Sequence, residues 1–146
     1  QSARRAEEWV KEAVMDGAVL LVGGGRRGSF MEPTVLTGTR PSMKVCSDEL
    51  FAPVVTVESY DDFEEALDAV NSSRFGLQAG VFTNDMKKIF KAYDTLEVGA
   101  VVVNDVPAFR VDNMPYGGVK ESGFGREGVR YAMEEMTEPR LLVVGK

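Results

Sequence analysis

One thiol, two adjacent carboxylates beside an aromatic, and two glycine runs are the features of this sequence that could do chemistry. Cys46 is the sole candidate thiol nucleophile. Activation needs a base, a cation or a helix N-terminus. Lys44 is near in sequence, but Asp48 and Glu49 disfavour a thiolate, so Cys46 reads as an inert, partly buried residue. Asp48 and Glu49, followed by Phe51, could serve ribose hydroxyls and cover a flat ring. A solvated acidic loop carrying one core Phe is the plainer reading and has the better of it on residue physics alone. Gly23-Gly24-Gly25-Arg26-Arg27-Gly28 matches the G-x-G-x-x-G fingerprint, with an acidic pair about 20 residues further on. Pyrophosphate binding at such a run needs a helix that begins inside it. Ser29-Phe30-Met31-Glu32-Pro33 offers a proline and no helical stripe, so the run reads as a surface turn.

The densest feature runs from Pro115 to Glu127, with five glycines between Gly117 and Gly128. Glycines allow unusual backbone angles and close approach of another chain segment or a ligand. Gly123-Phe124-Gly125 opening a helix could hold an anion at the helix N-terminus. Equally, the segment could be a tight packing loop in which Glu127 complements a helix dipole. The residues leave both open.

Counts remove whole classes of chemistry. The 146 residues include no histidine, which excludes Ser-His-Asp and Cys-His catalysis and histidine metal sites within them. A single cysteine excludes an internal disulfide and a Cys-rich zinc site, so no metal is expected. Lys+Arg is 17 against Asp+Glu 23, a net charge of −6. That surface repels phosphate backbones, so nucleic acid and anionic membranes are poor partners. No apolar run reaches the ~18–20 residues of a membrane span. A lone thiol beside seven methionines suits a reducing compartment, hence a cytoplasmic location. Arg26-Arg27 and Lys87-Lys88 are too short for a nucleic-acid patch, and Met15, Met86, Met133 and Met136 sit at or beside helical stripes as core filling.

The elements that must position these residues alternate. Ala6, Trp9, Val10, Ala13 and Val14 predict an amphipathic helix over 1–16, stopped by Gly17. Ala18 to Val22 predicts a strand, and a loop of about thirty residues follows, with a short strand near Thr34 to Leu36. Val54 to Glu58 predicts a strand, and Asp61 a cap for a helix with Phe63, Ala66, Leu67 and Val70 inward. Gly80 to Thr83 predicts a strand, and Thr83 or Asn84 a cap for a helix with Met86, Ile89, Phe90 and Tyr93 inward. Ala100 to Val103 completes a βαβαβ unit with parallel pairing. A helix with Val129, Ala132, Met133 and Met136 on one face follows, then a strand from Arg140 to Val144. The fold class is α/β, and the expectation is one domain over 1–146: a three-layer arrangement with a mostly parallel sheet and flanking helices.

Glu49-Leu50-Phe51-Ala52-Pro53-Val54, Asn71 followed by Phe75-Gly76-Leu77-Gln78-Ala79-Gly80-Val81-Phe82-Thr83, Val101-Val102-Val103-Asn104, and Pro115-Tyr116-Gly117-Gly118-Val119-Lys120 with Ser122-Gly123-Phe124-Gly125-Arg126-Glu127 together resemble the aldehyde dehydrogenase superfamily. The motifs come in that family's order and spacing and cover nearly the whole chain. The resemblance implies the C-terminal portion of the catalytic domain of a longer enzyme that oxidises an aldehyde to a carboxylic acid with NAD or NADP. The start at Gln1, inside a helix, suits a fragment. In that family a Cys attacks the aldehyde, hydride passes to the nicotinamide, and a Glu-activated water hydrolyses the thioester. That Cys, that general-base Glu, the oxyanion Asn and the Rossmann domain precede the region covered here. The fragment is therefore expected to be inactive alone, and Cys46 is not the catalytic thiol.

Carried over residue by residue, the resemblance implies that Glu49 bonds the nicotinamide ribose and Phe51 contacts the nicotinamide end. Ala52 replaces a frequent Gly. Tyr116 stands at the active-site mouth where many relatives have Phe, and Phe109 lines the substrate tunnel. Glu127 matches a Glu associated with proton exit from the general base. Arg110, in a mouth loop, could grip a carboxylate or phosphate bidentately, which points to an anionic or hydroxylated aldehyde such as lactaldehyde or a phospho- or phosphono-aldehyde. The strand 140–144 resembles one that joins subunits, so a homodimer or homotetramer is expected, alongside the rest of the chain as a partner. Two other classes compete: a free-standing non-catalytic binding or assembly module of the same fold, and a small acid/base enzyme using Glu49 and Glu127. The second is disfavoured because no nucleophile or metal site accompanies the carboxylates.

Overall fold

The computed structural model describes all 146 residues. Contacts gather them into two compact units, Gln1–Asp61 and Asp62–Lys146, where the sequence reads as one domain. The boundary falls in residues 57–62, an exposed stretch, as domain boundaries do.

In the first unit, α1 (Ser2–Met15) packs on a three-stranded sheet of β1 (Val19–Val22), β4 (Thr34–Thr37) and β5 (Val54–Thr56), in the order β1-β4-β5. β4 pairs antiparallel with β1 and parallel with β5. It occupies the centre because its alternate residues Thr34 and Leu36 are buried. Val10, Ala13, Ala18, Leu36 and Met43 form the core. Thr34 is tolerated there because its hydroxyl donates to the Glu32 carbonyl (2.7 Å) and accepts from the Gly24 N–H (2.9 Å). The run Gly23 to Gly28 opens no helix. It leads into a hairpin of β2 (Arg26–Arg27) and β3 (Phe30–Met31), with Gly28 at φ +63° in the turn. Arg26 Nε meets Glu7 at 2.6 Å and ties this hairpin to α1. A single-turn helix, α2 (Lys44–Ser47), carries Cys46. Neither the hairpin nor α2 shows in the hydrophobic pattern, since both are short and set by local hydrogen bonds.

Glu58 accepts hydrogen bonds from the Thr39 N–H (2.7 Å) and hydroxyl (2.8 Å). These bonds, the backbone one foremost, hold its carboxyl below the usual carboxylate range. A depressed carboxylate stabilises the folded form above the unfolded-state pKa and loses that contribution as pH falls through the folded value. Thr39→Val should return the Glu58 titration, followed by carboxyl NMR shifts, toward its ordinary value. An unmoved midpoint would mean that the hydroxyl contributes nothing.

In the second unit, α3 (Phe63–Asn71) begins at Asp62, not Asp61. The Asp62 carboxylate accepts from the backbone N–H groups of Glu64 and Glu65 (2.8 and 3.0 Å), a cap of about 1 kcal/mol. β6 (Phe75–Gly76) and β7 (Gln78–Val81) follow. α4 (Met86–Thr95) is capped by Asp85, not Thr83 or Asn84, because only Asp85 reaches the Lys87 N–H (2.8 Å). β8 (Ala100–Val103) pairs in parallel with β7, so β7-α4-β8 is a βαβ unit. β5 takes β4 as its parallel partner in the first unit, so the longer βαβαβ run is present as this shorter one. The α/β class holds, with parallel β4–β5 and β7–β8 pairs beside three antiparallel ones.

The second core is Leu67, Val81, Ala92 and Leu96. Ala92, not Met86, Phe90 or Tyr93, is the buried residue of α4; those three side chains are exposed. α5 (Val129–Glu135) likewise exposes Val129, Met133 and, just past its end, Met136. Residues 140–144 form no strand. A strand requires a ladder neighbour, none is hydrogen-bonded to this segment, and Leu141 to Val144 are exposed.

Candidate functional site

The glycine-rich segment packs backbone against backbone. Its β9 (Val119–Lys120) pairs antiparallel with β6. A Cβ on Gly76 would meet the Glu97 carbonyl, one on Gly99 the Gly117 carbonyl, and one on Gly117 the Gly125 carbonyl. Gly76 N–H donates to Ser122 Oγ at 2.9 Å. Gly123-Phe124-Gly125 opens no helix, since α5 starts at Val129 after Gly128. Of the two readings left open by the residues, the packing loop is the one that forms.

That loop positions three of the implied site residues together. Tyr116 and Glu127 face each other as an antiparallel bridge, each N–H donating to the other's carbonyl. The bridge holds both side chains on one short stretch of backbone. Arg110 joins them: its guanidinium carbon lies 4.4 Å from the centre of the Tyr116 ring, and Nη2 is 3.1 Å from Glu127 Oε2. Cation–π contact and ion pair act on the same group. Both partners stay accessible, with side chains 45% and 66% exposed, so the ion pair is worth less than about 1 kcal/mol. Phe109 lies beside them in sequence, half-exposed, lining a hollow of about 410 Å³ with Val101, Val103 and Met114. The Gln78 side-chain amide reaches its carbonyl at 3.4 Å.

Glu49 and Phe51 belong to the first unit, on the loop between α2 and β5. Glu49 is exposed, and the Phe51 ring is 77% exposed, so it is no core residue. A carboxylate and an uncovered aromatic two residues apart fit the ribose and flat-ring end of a nicotinamide cofactor. Nothing comparable fits its phosphates: the one fingerprint-like run is the β2–β3 hairpin. Cys46 is partly buried.

Lys120, Asn71, Ser122 and Arg126 stand inside the motifs with no role implied for them by the resemblance. Lys120, at φ +56°, donates Nζ to the carbonyls of Asn71 (2.7 Å) and Ser73 (3.1 Å) and pairs with Glu97 (2.9 Å). Asn71 Nδ2 donates to the Thr95 carbonyl, and Asn71 Oδ1 accepts from the Glu97 N–H, both at 2.8 Å. Arg126 Nη1 donates to the carbonyls of Gly118 (3.0 Å) and Gly125 (2.7 Å). For Lys120 and Arg126 the signal is a long donor inside a glycine-rich segment, free to reach backbone carbonyls that lack partners.

A model described as the aldehyde dehydrogenase family matches residues 1–142. Among curated proteins, the chain is 54% identical over 144 residues to the 3-sulfolactaldehyde dehydrogenase of Priestia megaterium, covering 99% of this chain and 30% of that protein. It is 44% identical to a lactaldehyde dehydrogenase of Methanococcus maripaludis, covering 99% of this chain and 31% of that one. Among solved structures, aldehyde dehydrogenase 21 from Physcomitrella patens, in complex with the reaction product succinate, superposes with a TM-score of 0.92 at 50% identity, over 94% of this chain and 28% of that one. Glyceraldehyde-3-phosphate dehydrogenase GapN from Methanocaldococcus jannaschii, complexed with NADP, gives 0.87 at 46%, over 92% and 29%. The chain thus spans about 30% of the length of these curated relatives.

Proposed function

The chain belongs to the aldehyde dehydrogenase family, and from that premise we propose that it serves as the C-terminal part of an NAD(P)-dependent enzyme that oxidises an anionic or hydroxylated aldehyde to its carboxylic acid. The observation that carries the substrate class is the Arg110 guanidinium, held over Tyr116 beside Glu127 yet still accessible. The names of the relatives agree in kind, since sulfolactaldehyde and lactaldehyde bear a sulfonate or a hydroxyl.

In this reading, Arg110 grips the anionic end of the substrate, while Tyr116 and Phe109 wall the entrance. Orientation of the aldehyde by a charge-assisted contact is a positioning effect. Glu49 accepts from ribose hydroxyls and Phe51 packs on the nicotinamide end; the cofactor, when bound, supplies the hydride acceptor. Glu127 receives a proton on its way out of the site. The nucleophilic thiol, the general base and the phosphate-binding domain come from the remainder of the enzyme, so residues 1–146 by themselves do not oxidise aldehydes. The exposed faces of α4 and α5 and the apolar segment Leu141 to Val144 are covered by that remainder or by other subunits of a cytoplasmic dimer or tetramer.

The test uses the full-length enzyme, with reduced nicotinamide followed by absorbance. Succinate semialdehyde, an anion, and pentanal, neutral and of similar length, should both be oxidised. Arg110→Ala should raise KM for the anion about ten- to a hundredfold relative to pentanal, the loss of one charge-assisted contact of about 1.5–3 kcal/mol. Equal effects on both aldehydes would remove Arg110 from anion recognition.

A further inference from the structure

We infer that Glu127 is the resting occupant of the Arg110 anion site, so an anionic substrate must displace an internal carboxylate to bind. The inference rests on the reading of Arg110 as the substrate's anion partner and goes beyond it to how that site is regulated.

The geometry carries it. One face of the guanidinium is covered by the Tyr116 ring, and its N–H edges are where an anion is gripped. One edge, at Nη2, is already engaged by Glu127 Oε2 at 3.1 Å, and the remaining N–H groups donate to no other residue of the chain. A bidentate grip on a carboxylate or sulfonate uses two parallel N–H donors, so an incoming anion shares donors with Glu127 or sits beside it and is repelled by it. Glu127 stays within reach: its backbone N–H and carbonyl both bond to Tyr116, so its Cα keeps its place beside the guanidinium while the loop is folded. The pair is nevertheless exposed and rests on one contact, which makes it an exchangeable partner rather than a locked one. An internal carboxylate of this kind lowers affinity for anions and leaves neutral aldehydes untouched, which narrows the difference Arg110 would otherwise impose.

In the full-length enzyme, Glu127→Gln keeps the size of the side chain and removes the charge. Its KM for succinate semialdehyde, divided by its KM for pentanal, should fall about three- to fivefold, the scale of an exposed ion pair. The accompanying loss of a proton acceptor should lower kcat for both aldehydes alike, and so leaves the KM ratio as the specific readout. In an Arg110→Ala background, Glu127→Gln should leave the ratio unchanged. Glu127→Asp, which withdraws the carboxylate by one methylene, should shift the ratio the same way by less, and serves if the Gln variant is unstable. A KM ratio that stays constant or rises in Glu127→Gln, while Arg110→Ala is still selective for the anion, overturns the exchange and keeps the substrate reading. If Arg110→Ala is itself unselective, the substrate reading fails first.

Discussion

Replacing Gly99 by alanine is expected to prevent the second unit from folding. Gly99 sits between α4 and β8, where its N–H donates to the carbonyls of Gly76 (3.1 Å) and Leu77 (3.0 Å). A Cβ there would overlap the Gly117 carbonyl and lie 2.9 Å from the Leu77 carbonyl. Side-chain crowding in a core costs about 1–3 kcal/mol because rotamers can adjust. Here the obstacle is backbone on two sides, and each segment is fixed in turn. Gly117 is backed by Gly125, and Gly76 is held by Ser122 and by the pairing of β6 with β9. Relief would require moving the whole glycine-rich loop. The expected cost is above about 4 kcal/mol, a size that single substitutions reach only through such a mechanism. It would be seen as loss of soluble enzyme and of the thermal transition. Gly145→Ala, with nothing near the added carbon, is the matched control and should be silent. A folded Gly99→Ala enzyme with an unchanged transition would show that the loop yields freely.

The contrast between those two glycines marks where the sequence was readable. Helix α1 is legible from its 3.6-residue period, and strands β1, β5 and β8 from short apolar, β-branched runs. Ala6, Val10 and Ala13 fall on one helical face, and Thr34 and Leu36 alternate along a central strand. The inward face of α4 was misread for a related reason. Its large apolar residues Met86, Phe90 and Tyr93 define a clear stripe, but the stripe that meets β7 and β8 is carried by Ala92 and Leu96. Hydrophobic size marks a surface to be covered and does not say by which neighbour. Caps were missed by one or two residues because several acceptors stood in a row, and only the geometry of the first turn selects Asp62 or Asp85.

The candidate site was legible as a set of residues and not as an arrangement. Tyr116 and Glu127 are picked out by motif and Arg110 by its charge in a mouth loop, yet nothing in their spacing says that an arginine six residues before a tyrosine stacks on it. That contact sits beside the bridge between Tyr116 and Glu127, a pairing across eleven residues in a segment with no periodic pattern. The fingerprint at Gly23 to Gly28 shows the converse. Its letters matched, and the absence of a following helix was the physical fact that ruled it out, as the β2–β3 hairpin bears out.

Lys120→Met should be the second most damaging substitution, and it tests whether the loop is held by charge or by shape. The ammonium is one of the few groups joining three elements of the second unit: it donates to the Asn71 and Ser73 carbonyls at the end of α3 and meets Glu97 beyond α4. Those carbonyls follow the last turn of a helix, where no intrahelical donor remains, and a cation there also complements the helix dipole. Methionine keeps the length and apolar stem, so packing along the side chain survives. What disappears is the charge and its donors, in a side chain only 22% exposed, where water cannot fully replace them. Hydrogen bonds to a charged group contribute about 1.5–3 kcal/mol, and the Glu97 pair, largely exposed on the carboxylate side, adds little. A loss of about 2–4 kcal/mol is expected, measured from the shift in urea midpoint at constant slope. Lys120→Arg should recover part of it, since the charge remains but the fork cannot reproduce three converging donors. Because β9 pins the glycine-rich loop, the same variant should also loosen the Tyr116–Glu127 bridge that keeps Glu127 beside Arg110, lowering the KM ratio of succinate semialdehyde to pentanal. A Lys120→Met enzyme as stable as its parent would assign the loop's rigidity to glycine packing alone.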